Sequence, residues 1–439
     1  MKHKQLLKRL LPLAMFPMAL LLAPALAAEE ARLPEPLTLE YALSLADEAH
    51  PALTLRQARV DERRAIRELT EAEGGWHVGL TGSLRVVDPS HRSLDGTNND
   101  SSLRLKMRKR LYDFGYSEAA QQATDAALEG SEWSYLEARQ QRRLSIMRDY
   151  FDVLLADLRY IRDNEAMTMG YLHWDKARQR QEQGQLSDIE VLELESLFQQ
   201  RRTEWQRSRN QQRASRLKLA ISLNRPEQLS GTLAAPPLAL ERELPEVAPL
   251  TEEALNNNPR LRALRRQVEA AQAEVRAARS YYGPTIHGEV EAAAYNRVTS
   301  TRDPLAAALV IEVPLFSSTY DAALAKQIAR LHQQQALLAN GELELRQAVL
   351  DLWLEIQVLR DKQKEMAALG AYRDLYIDRS RALYELEVKS DLGDAQAQIS
   401  DYQLQQAMAD YELAMAWANL DALRGTLIEH EARAVEEQQ

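Results

Sequence analysis

The chain has 439 residues, with 55 lysines and arginines against 65 aspartates and glutamates, which gives a formal net charge of -10. This acidic balance argues against a general affinity for nucleic acid, because nucleic-acid phosphates attract basic surfaces. Cysteine is absent, so the sequence excludes disulfides, thiolate metal sites, cysteine nucleophiles and lipidation at a cysteine.

The first 27 residues have the layout of a secretory signal peptide. A basic start that ends at Arg9 is followed by an apolar run from Leu10 to Leu22, and Ala25 and Ala27 supply the small residues that signal peptidase accepts. We therefore expect residues 1–27 to be removed on export. No later stretch has the roughly 18 uninterrupted apolar residues of a membrane-spanning helix. The alternatives are a soluble exported protein and a β-barrel.

A first structural unit is predicted over residues 37–223. It contains a β-hairpin at about residues 76–114, in which aliphatic and basic residues alternate from Leu103 to Arg110. Such alternation is typical of a strand with one apolar and one charged face. The helices predicted in this unit are Leu39 to Glu48, Ala52 to Glu73, Gly115 to Gln183 and about Ser187 to Leu223.

A linker is predicted over residues 224–250, because closely spaced prolines prevent a continuous helix there. These prolines are Pro226, Pro236, Pro237, Pro245 and Pro249.

A second unit, residues 251–425, is predicted to repeat the first. The segment that begins at His50 aligns with the one that begins at Asn258, and the same offset brings Gly75 onto Gly283. This unit has a hairpin at about residues 284–315, a long helix from Ser317 to Leu386 and a return helix from about Ser390 to Arg424. Residues 426–439 form a polar C-terminal tail.

The second long helix carries a heptad pattern. Leucine recurs every seven residues from Leu324 to Leu359, and Met366 extends the row. This period winds helices into a left-handed supercoil. As one helix, residues 317–386 would reach roughly 105 Å at about 1.5 Å per residue. The sequence therefore predicts a rod-like, mainly α-helical chain.

The length and polarity of the predicted strands bear on whether the chain lies in a membrane. Their length of roughly ten to twelve residues suits a membrane-crossing strand, which needs about 9 to 11. Aliphatic residues alternating with charged ones suit a wall between lipid and water. A half-buried sheet in a soluble domain has the same period, so alternation alone leaves that alternative open. Because the smallest membrane barrels have about eight strands, a membrane sheet would require several copies of this chain.

Short motifs occur in a fixed order from about Leu37 to Gly425. The motifs are Leu39-Glu40-Tyr41-Ala42-Leu43, His50-Pro51 with its echo Asn258-Pro259, Leu111-Tyr112-Asp113-Phe114-Gly115, Pro314-Leu315-Phe316 and Gly184-Gln185-Leu186-Ser187-Asp188. With these motifs in this order, the chain resembles the TolC-type outer-membrane efflux proteins.

The resemblance implies a fold and a function. The expected fold is mainly α with a membrane β-barrel: each chain supplies two long helical hairpins and two β-hairpins, and a homotrimer forms a 12-stranded β-barrel and a periplasmic α-barrel. The expected function is the outer-membrane exit duct of a tripartite efflux pump or type I secretion system. Its partners would be outer-membrane lipid, a periplasmic adaptor protein and an inner-membrane transporter, and no nucleic acid.

The resemblance also implies a gate at the periplasmic tip. Asp391 and Asp394 match aspartates that ring the family's entrance, and Glu190 matches another gate acid. Three copies would place these carboxylates around one axis, where they would concentrate cations. Lys389 and Arg180 are candidate partners of the acids. The alternative is that these are ordinary solvated acids beside a turn.

Charged residues of the predicted strands form a second candidate site, the lumen of the barrel. Opposite charges on nearby strands can neutralise one another there. The alternative, that these residues only keep the pore wet, stays open. The residues are Arg104, Lys106, Arg108, Glu289 and Glu291.

The sequence predicts no enzyme and no cofactor. The eight histidines are scattered, with no pair at metal-ligand spacing. A phosphate-binding glycine loop and a G-x-S-x-G motif are both missing from the sequence. A rival to the duct remains, a periplasmic coiled-coil adaptor or scaffold protein without a membrane pore.

Overall fold

A computed structural model describes residues 33–89, 95–228, 231–297, 299, 302–386 and 392–428. The predicted signal peptide and the predicted gate residues Lys389 and Asp391 lie outside these ranges. The described chain is mostly helical, which confirms the predicted mainly α character.

An order of two helices, two strands and two helices occurs twice along the described chain, and a 3-10 turn at Leu45–Asp47 follows the first helix. The first set is α1 (Leu39–Ser44), α2 (Pro51–Ala72), β1 (Trp76–Ser83), β2 (Ser102–Tyr112), α3 (Tyr116–Glu182) and α4 (Asp188–Ser222). The second set is α5 (Val247–Asn257), α6 (Pro259–Ser280), β3 (Thr285–Tyr295), β4 (Leu305–Glu312), α7 (Tyr320–Glu385) and α8 (Leu392–Arg424).

Two helices, α3 and α7, determine the length of the molecule. They have 67 and 66 residues, so each is about 100 Å long at about 1.5 Å per residue. In α7, Val349 and Ile356 are fully buried, and Leu345 and Met366 of the heptad row are nearly so. Burying a side chain of this size stabilises the fold by roughly 1.5 to 3 kcal/mol. The predicted apolar face of α7 therefore lies in the core.

The helices lie side by side around α3. This helix packs against α2 and α6 near the sheet and against α4 and α8 further along, while α7 packs against α6 and α8. The order across the molecule is thus α2, α3, α6, α7 at one level and α4, α3, α8, α7 at the other. Since α2, α4 and α7 are the outer members, their far sides are not covered by the described part of this chain.

Local sequence sets where the helices begin. Pro51 and Pro259 occupy the first turn of α2 and α6, where the missing N–H has no intrahelical partner to lose. The preceding His50 and Asn258 cap these helices with side-chain acceptors. Gly115 precedes α3 with a φ of 93°, a left-handed conformation that favours glycine.

Tyr150 of α3 joins the segment before α1 to the linker. The backbone N–H of Leu37 donates to Thr232 O at 3.0 Å, and the N–H of Ala234 donates to Leu37 O at 2.8 Å. The buried Tyr150 hydroxyl lies 2.7 Å from Leu37 O and 2.6 Å from Ala234 O. These contacts tie the ends of the first set of elements to its longest helix.

The four strands form one antiparallel sheet in the order β1, β2, β3, β4. The central strands β2 and β3 have 11 residues each, but the outer strands β1 and β4 have 8. The outer strands are thus shorter than expected. In β1, regular pairing with β2 stops at Ser83, and an isolated bridge from Val86 to Asn99 follows.

Candidate functional site

The register of the sheet brings the predicted lumen residues onto one face. Lys106 lies opposite Glu291, and Arg108 lies opposite Glu289, across β2 and β3. Arg104 follows the same alternation on β2. The sheet therefore has one face that carries basic and acidic side chains together.

Ion pairs on this face join neighbouring strands both directly across, from Arg108 to Glu289, and diagonally, from Lys106 to Glu289. Lys106 Nζ lies 2.9 Å from Glu289 Oε2, and Arg108 Nε lies 3.3 Å from Glu289 Oε1. Arg108 Nη2 also lies 3.9 Å from Glu312 Oε2 on β4. Arg104 and Glu291 form no ion pair within the described ranges. The face is thus partly neutralised while keeping free charges.

The opposite face of the sheet is aliphatic and exposed. The exposed fractions are 59% for Val78, 66% for Leu80, 64% for Leu309 and 63% for Ile311. Contiguous apolar patches of this kind mark contacts with a membrane or with another protein. The two faces together have the polarity of a wall between an apolar and an aqueous phase.

At the far end of the long helices, Glu190 serves as part of a helix cap. The backbone N–H and the hydroxyl of Ser187 donate to Glu190 Oε2 at 2.9 and 2.8 Å, and the Glu190 N–H donates to the Ser187 hydroxyl at 3.4 Å. This reciprocal arrangement is a capping box. The hydrogen bond from the Ser187 N–H, with its hydroxyl and nearby Arg180, holds the pKa of Glu190 below its usual range. Glu190 therefore keeps its charge at neutral pH.

The predicted partner Arg180 lies beside this cap. Its Nε donates to Gln185 Oε1 at 3.4 Å, and its carbonyl accepts the Gln185 N–H at 2.9 Å. Its charge acts on Glu190 through space, without an ion pair in the described chain.

Asp394 approaches a histidine that the sequence did not single out. Asp394 Oδ2 lies 3.8 Å from Nε2 of His173 on α3, and both side chains are about two-fifths exposed, at 44% and 40%. A lone histidine gives no local signal, because its partner is on α8 and becomes visible only when α3 and α8 pack together.

The seam between α3 and α8 carries further polar contacts. Arg162 Nη1 lies 3.5 Å from Asp401 Oδ1, and the Ser400 hydroxyl donates to the carboxylate of Glu165. With the pair described above, these contacts line the seam up to the start of α8. Since Asp391 and Lys389 fall just before the described part of α8, the structure gives no position for them.

The described ranges hold neither a candidate metal site nor a helix that could cross a membrane. No cluster of three or more histidine, aspartate or glutamate side chains with metal-binding geometry occurs in the described ranges. Among the helices described, none is both long enough and apolar enough to cross a membrane.

Comparison with known proteins gives a consistent result. Residues 250–426 match the outer membrane efflux protein family. No curated protein sequence gives a significant match to the chain.

Three solved structures show the fold. The outer membrane protein VceC from Vibrio cholerae matches with a TM-score of 0.70 and 18% identity, over 88% of this chain and 96% of that chain. The CmeC outer membrane channel of Campylobacter jejuni matches with a TM-score of 0.72 and 13% identity, over 91% and 88%. The MtrE outer membrane channel of Neisseria gonorrhoeae, in its open state, matches with a TM-score of 0.70 and 18% identity, over 89% of each chain.

These matches come from channels, not from enzymes, and they cover nearly all of the described chain. The resemblance predicted from the sequence is thereby confirmed: residues 250–426 carry the pattern of the outer membrane efflux proteins, and the chain has the fold of TolC-like outer-membrane channels.

Proposed function

We propose that the chain is one subunit of an outer-membrane exit duct, serving a tripartite efflux pump or type I secretion system and gated at its periplasmic tip. The sheet carries the proposal, because it has one exposed aliphatic face and one charged face. Within the described residues, each outer strand has a hydrogen-bonded neighbour on one side only. Open edges of this kind are completed by pairing with another chain.

Three copies complete the barrel in this proposal. Four strands cannot close on themselves, whereas the 12 strands of a homotrimer fall within the range of membrane barrels. The outer strands β1 and β4 have 8 residues each, so β1 of one copy matches β4 of the next in length. The aliphatic face would then meet lipid, and Arg104, Lys106, Arg108, Glu289 and Glu291 would line the lumen.

The outer helices support the same assembly. On α7, an exposed apolar stripe that includes Leu343, Leu354 and Val358 lies on the side opposite the buried Val349 and Ile356. A helix with two apolar sides requires two partners. On α2 at the other edge, Leu55, Ile66 and Leu69 are exposed as well. In the trimer, α7 of one copy would cover α2 of the next.

The tip of the helices is the proposed gate. Asp391, Asp394 and Glu190 would form an acidic ring around the three-fold axis, with Lys389 and Arg180 as partners in the closed state. The ionised capping carboxylate of Glu190 and the contact between Asp394 and His173 support this assignment, because they place charge at this end of the helices.

Localisation and organisation follow from the duct. A signal peptide over residues 1–27 would direct export through the Sec pathway, and the barrel would insert in the outer membrane with the helices spanning the periplasm. The repeated order of elements supports two structural repeats, 37–223 and 251–425, joined by a linker and followed by a tail. A periplasmic adaptor and an inner-membrane transporter would supply the energy.

A matched pair of substitutions on β4 tests the proposal. Leu309 lies on the aliphatic face, whereas the preceding Ala308 lies on the charged face opposite Glu289. A lysine on the lipid side of a membrane barrel costs about 2 to 4 kcal/mol near the bilayer midplane, so Leu309→Lys should remove the trimer from the outer-membrane fraction. Ala308→Lys gains an acidic neighbour and should assemble and conduct in planar bilayers.

Equal assembly of the two variants would contradict the proposal. Recovery of the wild-type protein as a monomer from the periplasmic fraction would favour the adaptor or scaffold, which has no need for an exposed aliphatic sheet.

A further inference from the structure

A lysine interrupts the aliphatic face of the sheet at the end that joins the helices. Lys109 of β2 lies opposite Trp76 of β1 and Gly288 of β3. By the alternation of β2 it shares its face with Met107. Every other position on this face in the described strands holds an apolar residue or glycine. Lys109 is therefore the one charge on the aliphatic face of these four strands.

Lys109 lies against an exposed indole ring. Its Nζ is 5.4 Å from the centroid of the Trp76 ring, a distance typical of a cation–π contact. Trp76 is 60% exposed. In the part of the chain that the structure describes, no carboxylate pairs with Lys109, and the indole N–H of Trp76 has no acceptor. An ammonium group and an indole N–H thus lie side by side, and both are available to a ligand.

The charged face of the same strand provides a contrast. Lys106 Nζ and Arg108 Nε lie 2.9 and 3.3 Å from the carboxylate of Glu289, and this face would also meet water in the lumen. Lys109 has neither a carboxylate beside it nor, under the proposed function on which this inference rests, an aqueous lumen. The anion that balances its charge must then come from the membrane.

Under the proposed function, Lys109 and Trp76 lie at the periplasmic boundary of the lipid. β1 begins at Trp76, directly after α2, and exposed aliphatic side chains continue beyond β1 to Val86, which is 84% exposed. The ten residues between them span about 33 Å at about 3.3 Å each, or about 25 Å across a membrane at a strand tilt of about 40°. This height matches the apolar band of membrane barrels. At such a boundary a lysine on the lipid face costs little, and tryptophan is common.

The tilt of the strands places residues of one register row at different depths. Leu309 of β4 is in the same row as Lys109, with Gly288 between them. The exposed aliphatic side chains of β4 nevertheless continue past Leu309 towards α7, through Ile311 and Val313. Leu309 therefore lies within the apolar band, whereas Lys109 lies near its edge.

The next copy in the proposed trimer leaves the pair of Lys109 and Trp76 open. Its strand β4 would hydrogen-bond to the backbone edge of β1. The side chain of Trp76 stands perpendicular to the sheet, on the face, and is not covered by such edge pairing. The pair would therefore remain in contact with lipid in the assembled barrel.

We propose that Lys109 and Trp76 bind the headgroup of an anionic phospholipid in the inner leaflet of the outer membrane. The ammonium group pairs with the lipid phosphate, and the indole N–H donates to the same phosphate, since the two donors are close enough for one phosphate group to reach both. The acyl chains lie along the aliphatic face, over Met107 and Val78. An anionic lipid is preferred to a zwitterionic one, because an ammonium group beside the phosphate would offset the attraction of Lys109.

Native mass spectrometry of the full-length protein, extracted in detergent, tests the proposal by resolving bound lipids. The probes are a phosphatidylglycerol, a phosphatidylethanolamine with the same acyl chains, and inorganic phosphate. We expect phosphatidylglycerol to bind tightest of the three. Lys109→Gln should weaken its binding by about tenfold, equivalent to about 1.4 kcal/mol, and Trp76→Leu should weaken it too. Lys109→Arg, which keeps the charge, should retain it.

The matched control is Lys106→Gln on the same strand, which removes the same charge from the opposite face. It should bind phosphatidylglycerol as wild type does. Equal weakening in Lys109→Gln and Lys106→Gln would overturn the proposal, as would equal binding of the two lipids. Displacement of phosphatidylglycerol by an equal concentration of inorganic phosphate would show a site for free anions, and would overturn the assignment to a lipid.

The same spectra separate this inference from the proposed function, because they also give the mass of the assembly. A trimer that binds phosphatidylglycerol no more tightly than phosphatidylethanolamine removes the lipid site and leaves the duct in place. A monomer that binds phosphatidylglycerol through Lys109 keeps the lipid site and removes the trimeric duct.

Discussion

Replacing Tyr150 by phenylalanine should loosen the junction between α3, the segment before α1 and the linker. The Tyr150 hydroxyl is buried between the carbonyl oxygens of Leu37 and Ala234, at 2.7 and 2.6 Å. Since a hydroxyl has one hydrogen, it donates to one carbonyl at a time. The phenylalanine variant would leave the carbonyl oxygen of Ala234 without a donor in the described chain, whereas Leu37 O would still accept from the N–H of Ala234.

The magnitude follows from the cost of an unsatisfied buried acceptor, about 1 to 3 kcal/mol. The free energy of opening the junction should fall by this amount, which raises the population of the opened state about 5- to 150-fold. The backbone N–H groups of Leu37 and Ala234, which are hydrogen-bonded across the junction, should then exchange with solvent faster by the same factor.

Hydrogen exchange followed by mass spectrometry on peptides covering residues 33–41 and 231–238 measures this effect. Tyr411→Phe is the control, because Tyr411 is in the same core cluster and is 9% exposed, yet its hydroxyl forms no hydrogen bond within the described chain. Unchanged exchange in Tyr150→Phe, or an equal increase in both variants, would refute the reasoning.

Three further outcomes are expected. Gly425→Ala should lower the free energy of unfolding by about 1 to 3 kcal/mol in thermal unfolding, because Gly425 has a φ of 77° and a Cβ would approach the carbonyl oxygen of Asn257. Burial raises the pKa of Asp47, but hydrogen bonds from two arginines outweigh this effect and lower the pKa overall. The ionised carboxylate therefore stabilises the fold fully above the ordinary pKa of 3.8, and this stabilisation is lost as the pH falls through the lowered pKa. Asp47→Asn should remove that part of the pH dependence of unfolding. Replacing Asp391 and Asp394 by alanine should weaken cation preference in bilayer conductance, and unchanged selectivity would exclude them from the gate.

The long helices are predictable from sequence because burial of a helix face repeats at a fixed spacing. The heptad row of α7 identifies the side on which Val349 and Ile356 are fully buried. The same rule does not say which apolar stripe faces the chain's own core and which faces another copy. Leu343 and Leu354 could therefore not be assigned until the order of the helices was known.

The sheet, too, could be predicted from the sequence only in part. Alternation in β2 predicts two faces of different polarity, and the register confirms that Lys106, Arg108 and Glu289 share one of them. The diagonal pairing of Lys106 with Glu289, instead of the directly opposite Glu291, depends on side-chain reach and could not be predicted from the alternation. The shortness of β1 reflects irregular backbone beyond Ser83, which local propensity does not encode.

Polar contacts between distant helices were the least predictable. The capping box of Ser187 and Glu190 has a local signal, a serine followed three residues later by a glutamate. The contact of His173 with Asp394 has none, since it requires α3 and α8 to lie side by side.

Particle imaging of the protein after detergent extraction from the outer membrane tests the central claim most directly. The account predicts a particle with three-fold symmetry, in which β1 of each copy pairs with β4 of the next and the helices form a tube about 100 Å long, at about 1.5 Å per residue of α3 and α7. A monomer whose aliphatic sheet face is exposed to water would contradict it.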